Sequence, residues 1–303
     1  MERILIIGQS GLVGGHLASV AEDRYEVHGT FLTHEIPGAN LHRLDATDRE
    51  ATMKLVERIQ PDLLVDTHSL NNVDYCETHQ EEAWKNNVDG ARNVLEACKK
   101  IACPYEFLST DYVFGGRELS YTEEDQPNPL SYFALTKVTV EKLVGALDMD
   151  SAVIRTSVVY GTGGLNKVNF ALWLIDKLRR GERVDLVNDQ KNNPTLVDNL
   201  AEQLIAIYEK RATGIFHVTG SECVSRFDFG LEVASIFDLD PRLVSPVSTA
   251  QLHQIAPRPS TVNLSTAKIQ RVTGLATLSV RDGLERMRKQ WTTQQRRAGF
   301  VPT

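Results

Sequence analysis

The chain is short of cysteine, of positive charge and of long apolar runs, and each shortage closes off a class of protein. Its four cysteines, Cys76, Cys98, Cys103 and Cys223, are scattered through 303 residues. None forms a Cys-x-x-Cys pair and no histidine pair completes a ligand spacing, so the sequence predicts reduced, mostly buried thiols and no metal site. A formal net charge of −7 argues against a general nucleic-acid binder, which needs clustered Lys and Arg to neutralise phosphates. No stretch nears the roughly 20 apolar residues that cross a bilayer. The opening, Met1-Glu2-Arg3-Ile4-Leu5-Ile6-Ile7, reads as a buried strand and lacks the basic, apolar and cleavage segments of a signal peptide. The expectation is a cytoplasmic protein that engages neither membrane nor nucleic acid.

What is present is an ordinary globular composition, 42% apolar and 24% charged, in a chain long enough to bury a core without staples. The first half alternates short β-branched runs (Ile4–Ile7, Tyr25–Thr30, Leu63–Asp66, Tyr105–Ser109, Ala152–Arg155) with segments of helical spacing (Gly14–Ala21, Arg49–Ile59, Gln80–Lys100, Ser131–Leu147). That alternation predicts an α/β fold, a doubly wound parallel sheet with helices on both faces. After Tyr160 the rhythm changes at the loop Gly161-Thr162-Gly163-Gly164. Helices are expected at Val168–Arg180, Val197–Lys210 and Arg226–Phe237, and 240–263, with four prolines, as mostly loop. The division expected is a dinucleotide-binding domain over 1–160, completed by part of 196–220, and a smaller substrate-binding lobe over 161–303.

Gly8-Gln9-Ser10-Gly11-Leu12-Val13-Gly14 follows the first strand and opens the first helix. Gly8 permits a tight turn, Gly11 lets backbone approach a pyrophosphate, and Gly14 lets helix and strand pack closely. The helix N-terminus then offers N–H groups and partial positive charge to phosphate, so Gly8, Ser10, Gly11, Leu12, Val13 and Gly14 are cofactor-binding candidates. The next strand ends Gly29-Thr30-Phe31-Leu32-Thr33-His34, without the acid that holds the ribose of NAD. Small hydroxyls at Thr30 and Thr33 leave room for a 2′-phosphate, which favours NADP and leaves NAD open. Asp45, followed by Ala46, is placed either to accept from adenine or to cap the next helix.

Further on, Leu108-Ser109-Thr110-Asp111-Tyr112-Val113-Phe114-Gly115-Gly116 resembles the extended short-chain dehydrogenases, and more narrowly the dTDP-4-dehydrorhamnose reductase family, which also includes the regulatory β subunit of methionine adenosyltransferase. Supporting stretches run the length of the chain: Gln60-Pro61-Asp62, Asn87-Val88-Asp89, Pro129 to Lys137, Arg155 to Gly161, Asp189 to Thr195, and Arg258-Pro259 with Asn263-Leu264. The resemblance implies hydride transfer from a reduced nicotinamide to a nucleotide-linked 4-keto-6-deoxy sugar. A Tyr donates the proton, a Lys four residues later tunes it and grips ribose, and a Ser or Thr hydroxyl binds the carbonyl. Thr110 and Lys137 match two of these. The resemblance also places Asp111, Tyr112, Tyr132, Val158, Asn192 and Arg258 around the sugar, and leaves a homodimer open.

The third position departs. Four residues before Lys137 stands Phe133, which has the ring and no proton. Tyr132 is adjacent, but one helical step rotates a side chain by about 100°. Three readings follow: a reductase with another donor (Tyr112, Tyr132, or water on Thr110), a cofactor-binding relative that regulates rather than turns over, or a substitution that traps substrate. The loop Asp66-Thr67-His68-Ser69-Leu70 also departs, since the family has Asn and alanines there; His68 and Ser69 are read as cofactor contacts, His68 as a further proton source. Val158 replaces the Trp that the rhamnose enzymes set against the sugar.

Overall fold

The computed structural model describes residues 1–117, 119–163 and 169–297. Gly164 of the glycine loop and Val168, where helical spacing begins, lie outside the described residues.

A parallel seven-stranded sheet organises the chain. In sequence order its strands are β1 (Arg3–Ile7), β2 (Glu26–Phe31), β3 (Leu41–Arg43), β4 (Leu63–Asp66), β5 (Tyr105–Thr110) and β6 (Ser151–Thr156), with Gly214–His217 added beside β6. Across the sheet the order runs Gly214–His217, β6, β5, β4, β1, β2, β3. The direction of winding reverses between β1 and β4, which opens a crevice at the carboxyl ends of those strands. The apolar runs are continuous because both faces are covered. In β1, Leu5 and Ile7 enter one core cluster while Ile4 and Ile6 enter the other, the alternation a pleated strand imposes.

The helices of the first half are α1 (Leu12–Ala21), α2 (Arg49–Ile59), α3 (Val73–Thr78), α4 (Gln80–Trp84), α5 (Gly90–Ile101) and α6 (Tyr132–Gly145). Local chemistry sets several of their starts. Asp48 accepts from Ala51 N–H at α2, Asn72 from Tyr75 at α3, and Ser131 from Ala134 at α6. Between α4 and α5 the chain makes a π-helical turn, Lys85–Asp89, instead of continuing regularly. Helix Val197–Glu209 packs on α1, beneath the face opposite α2 and α5.

A third core cluster gathers Leu174, Phe229, Leu284 and Met287 from helices Phe170–Arg179, Arg226–Ile236 and Val280–Arg297, with Leu186 from the strand Val184–Val187. The segment 240–263 is not all loop. Val244–Val247 pairs in parallel with Val184–Val187, and Pro246 is tolerated because this sheet has only two strands. No helix among the described residues is long and apolar enough to cross a membrane.

Candidate active site

The glycine loop is built around close approaches. Gly8 sits at φ +85°, a left-handed conformation that glycine adopts without penalty, and its carbonyl accepts from Gly11 N–H at 3.0 Å. A Cβ on Gly14 would lie 2.5 Å from the Gly8 carbonyl oxygen and 2.6 Å from Gln9 Cα, so only glycine lets α1 settle on the loop. Gly11 caps α1 with no side-chain hydrogen bond, and the first turn carries no acid. An anion therefore fits this helix end in charge and in shape. A cavity of about 570 Å³ opens there, lined by Ser10, Gly11, Leu12 and His16 and, from the far end of the chain, by Lys289 and Gln290. His16 bonds the Thr162 carbonyl at 2.6 Å and lies 3.4 Å from Asp198. Burial disfavours its charge, but Asp198 and the carbonyl outweigh that and raise its pKa.

A smaller cavity, about 70 Å³, gathers Gly8, Thr30, Asp45, Ala46, His68 and Asn86 on the other side of the loop. Thr30 is buried and its hydroxyl accepts from Gly8 N–H at 2.9 Å, so it holds the loop. Thr33 is exposed and bonded to its neighbour His34 at 2.9 Å. A cation that the sequence does not single out stands at the end of β2: Arg43, exposed and paired across from Phe31. Asp45 accepts from Thr47 N–H at 2.9 Å; the helix cap is Asp48.

His68 is held hard. One ring nitrogen bonds the buried carboxylate of Asp66 and the other faces the Asn86 carbonyl at 3.1 Å. Both partners are acceptors, so the imidazolium satisfies both nitrogens, and Asp66 raises its pKa against the cost of burial. Tyr105 completes the group, donating to Asp66 at 2.8 Å. Both nitrogens of His68 are engaged by acceptors, so its ring is held in one orientation beside the small cavity.

The catalytic candidates meet at the end of β5. Thr110 is its last residue; its hydroxyl accepts from Tyr112 N–H at 3.3 Å and lies 3.2 Å from an Asp111 carboxylate oxygen. Lys137, on α6, is buried, donates to the Leu108 carbonyl at 2.9 Å and stands over the Phe107 ring. Burial lowers its pKa to about 8, against the pull of Asp66 and Glu141. Phe133 lies one helical turn earlier, 6% exposed, clustered with Cys76 and Ala83, and the partly buried Tyr112 and Tyr132 pack against that cluster. Both tyrosines thus adjoin the cluster that holds Phe133.

The π-helical turn explains how this end is fixed. It presents Asn87 inward, where Oδ1 accepts from Leu70 N–H at 2.7 Å and lies 3.3 Å from the Ser69 hydroxyl. Its Nδ2 donates to Leu70 O at 3.1 Å and Thr136 at 3.2 Å, tying the loop after β4 to the residue before Lys137. Below, Glu141 receives Arg155 at 2.7 Å and Ser109 at 2.5 Å, a buried pair that fixes α6 against β5 and β6.

Toward the second lobe, Asp111 is buried and accepts from the Ser157 hydroxyl at 2.6 Å; desolvation raises its pKa to about 6. Val158 takes φ +43°, a strained value for a β-branched residue. Asn192 is buried in a two-residue strand paired with Val224. Arg258 is anchored to Asp74 at 3.0 Å and to the Ala256 carbonyl at 2.6 Å. Sequence reasoning missed Arg226. It stands 5.1 Å over Phe170, pulls against the burial that raises the Tyr112 pKa, and keeps one guanidinium nitrogen buried without a partner among the described residues.

Residues 1–293 match the sequence profile of the family described as RmlD substrate binding domain. A dTDP-4-dehydrorhamnose reductase of Mycobacterium tuberculosis is 32% identical over 271 residues, covering 87% of this chain and 85% of its own length. The crystal structure of dTDP-4-dehydrorhamnose reductase from Bacillus anthracis in complex with NADP superposes with a TM-score of 0.86 at 27% identity, covering 95% of this chain and 99% of that one. A hypothetical dTDP-4-dehydrorhamnose reductase from Sulfolobus tokodaii is 32% identical with a TM-score of 0.83, covering 93% and 98%.

Proposed function

The chain belongs to the RmlD substrate binding domain family, and from that premise we propose that it reduces the 4-keto group of a nucleotide-linked 6-deoxy sugar with NADPH. The observation that carries this reading is Lys137 anchored two residues from Thr110 on β5, beside a glycine loop that only small residues allow. NADPH supplies a hydride when bound. Gly8 to Gly14 receive its pyrophosphate, and Lys137 holds the nicotinamide ribose. The Thr110 hydroxyl is positioned to bind the sugar carbonyl oxygen. Arg226 and Arg258 offer guanidinium groups to the sugar nucleotide's phosphates. The proton comes from Tyr112, Tyr132 or a water, because Phe133 has none to give.

The test is NADPH consumption by purified full-length protein with a dTDP-4-keto-6-deoxy sugar, with the product identified by NMR. Slow but catalytic turnover is expected, and Arg226→Ala should raise KM about tenfold with kcat little changed, the mark of lost ground-state binding. One observation favours a second reading: the buried Phe133 leaves the usual donor position empty of protons. NADPH binding with no turnover on any nucleotide sugar would make the protein a cofactor-binding regulator.

The lysine also sets a pH dependence. Lys137 carries its proton below about pH 8 and loses it above, since burial disfavours the charge. Its grip on ribose therefore weakens as pH rises through about 8, and the NADPH dissociation constant should climb several-fold between about pH 7 and 9. Lys137→Met should bind more weakly and show a flat profile, measured by cofactor fluorescence. Wild-type affinity that stays constant across that range counts against the assignment.

A further inference from the structure

At the amino-terminal edge of the sheet, opposite the glycine loop, lies a cavity of about 310 Å³ that the reduction reaction does not use. Its chemistry is set by Glu106. This residue occupies β5 in the middle of the sheet, opposite Val65 on one side and Ala152 on the other, and is 3% exposed. Both of its carboxylate oxygens are buried with no hydrogen-bond partner among the described residues. Buried polar groups are almost always paired, and a carboxyl group is among the costliest to leave alone. Desolvation accordingly pushes its pKa well above the usual carboxylate range, which favours the protonated carboxyl.

The surroundings select the missing partner. Glu2, Asp62 and Asp150 also line the cavity, against a single cation among the described residues, Arg211. Leu63, Ala152 and Ile207 supply apolar wall, and the rings of Tyr105 and Tyr208 suit a cation face. No group of three or more His, Cys, Asp or Glu among the described residues is placed to hold a metal ion. We propose that this cavity is a second ligand site, and that it takes an organic monocation: an amine or amidinium on a compact apolar body. The carboxyl of Glu106 gives up its proton to solvent as the ligand arrives, and the resulting carboxylate pairs with the ammonium or amidinium. One cation bound thus releases one proton. The site is separate from the catalytic end, since Glu106 precedes Thr110 by four residues, roughly 13 Å along the strand.

Calorimetric titration of the full chain near neutral pH, in two buffers of different ionisation enthalpy, tests this with benzamidine and cyclohexylamine as probes and neutral benzamide as control. At least one cation should bind saturably at one per chain, with a buffer-dependent heat equal to about one proton released, while benzamide gives none. Glu106→Gln keeps the shape and removes the charge; it should weaken cation binding at least tenfold while unfolding cooperatively at a melting temperature no lower than wild type. Glu106→Leu, a packing substitution, should lose binding in the same way and guards against a folding defect in the first variant. No saturable heat with either cation, or equal binding by wild type and Glu106→Gln, overturns the proposal.

Discussion

Replacing Phe133 by tyrosine should raise reduction of a dTDP-4-keto-6-deoxy sugar by one to three decades. The scaffold for a phenol donor is otherwise in place. Residue 133 lies in the first turn of α6, one turn before Lys137, and Ser131 caps the helix so that the two side chains keep their spacing. The lysine is already buried, with its pKa lowered to about 8, which leaves an ammonium near neutrality that stabilises a phenolate. Supplying a positioned general acid is worth about 10²–10⁴-fold, less whatever Tyr112 and Tyr132 already contribute. Because Phe133 packs among Cys76 and Ala83, the new hydroxyl has a cost of about 1–3 kcal/mol if it finds no partner in the resting protein. The measurements are kcat/KM and melting temperature for the single variant and for Phe133→Tyr with Lys137→Met, where the gain should vanish. If the substitution leaves a brisk wild-type rate unchanged, the donor is elsewhere, and Tyr112→Phe and Tyr132→Phe locate it.

Gly14→Val should abolish the stabilisation of the protein by NADPH. The sequence reading gave Gly11 the approach to phosphate and Gly14 the approach of helix to strand. Of the two, Gly14 has the severe contacts, with backbone atoms at 2.5 and 2.6 Å from a Cβ, whereas Gly11 would meet only the Gly8 oxygen at 3.3 Å. Backbone cannot swing aside as a side chain can, so α1 must lift from the loop and carry its N-terminal N–H groups away from the pyrophosphate. Wild type should gain melting temperature with cofactor in proportion to ligand excess, and the variant should gain none. Overpacking itself costs about 1–3 kcal/mol, so circular dichroism must first show the variant folded. A folded Gly14→Val protein with wild-type affinity for NADPH would sink the cofactor assignment to this loop.

The sheet was legible because its strands are buried on both faces and so announce themselves as unbroken apolar runs. β3 was harder: Leu41-His42-Arg43 is short, polar and at the sheet edge, with only Leu41 to mark it. The helix Val280–Arg297 escaped the sequence reading for a different reason. Its buried residues Val280, Leu284 and Met287 form a narrow stripe in a segment otherwise crowded with Arg, Gln and Thr. At the site, residues adjoining a motif could be found, and Thr110, Asn87 and Lys137 were named from their neighbours. Arg226 could not, because its importance comes from Tyr112 and Phe170, far away in sequence. The engagement of His68 was equally hidden, since its second partner is a backbone carbonyl in a helix distorted at that point. Periodicity alone reads that helix as regular from Gln80 onward.

The larger cavity beside the glycine loop is walled by residues 9–12, Gly15 and His16 and by Lys289, Gln290 and Thr293, with Asp198 between them receiving Gln290 at 2.8 Å. Its two rims are therefore separated by about 270 residues of chain, and bringing them together carries close to the largest loop-closure entropy in the molecule, though that cost grows only logarithmically with length. A ligand lodged there touches both rims at once and behaves as a clasp. It opposes peeling of the last helix as directly as it opposes melting of the first, so resistance to proteolysis near residue 290 reports occupancy of a pocket whose recognition loop was made at the chain's beginning.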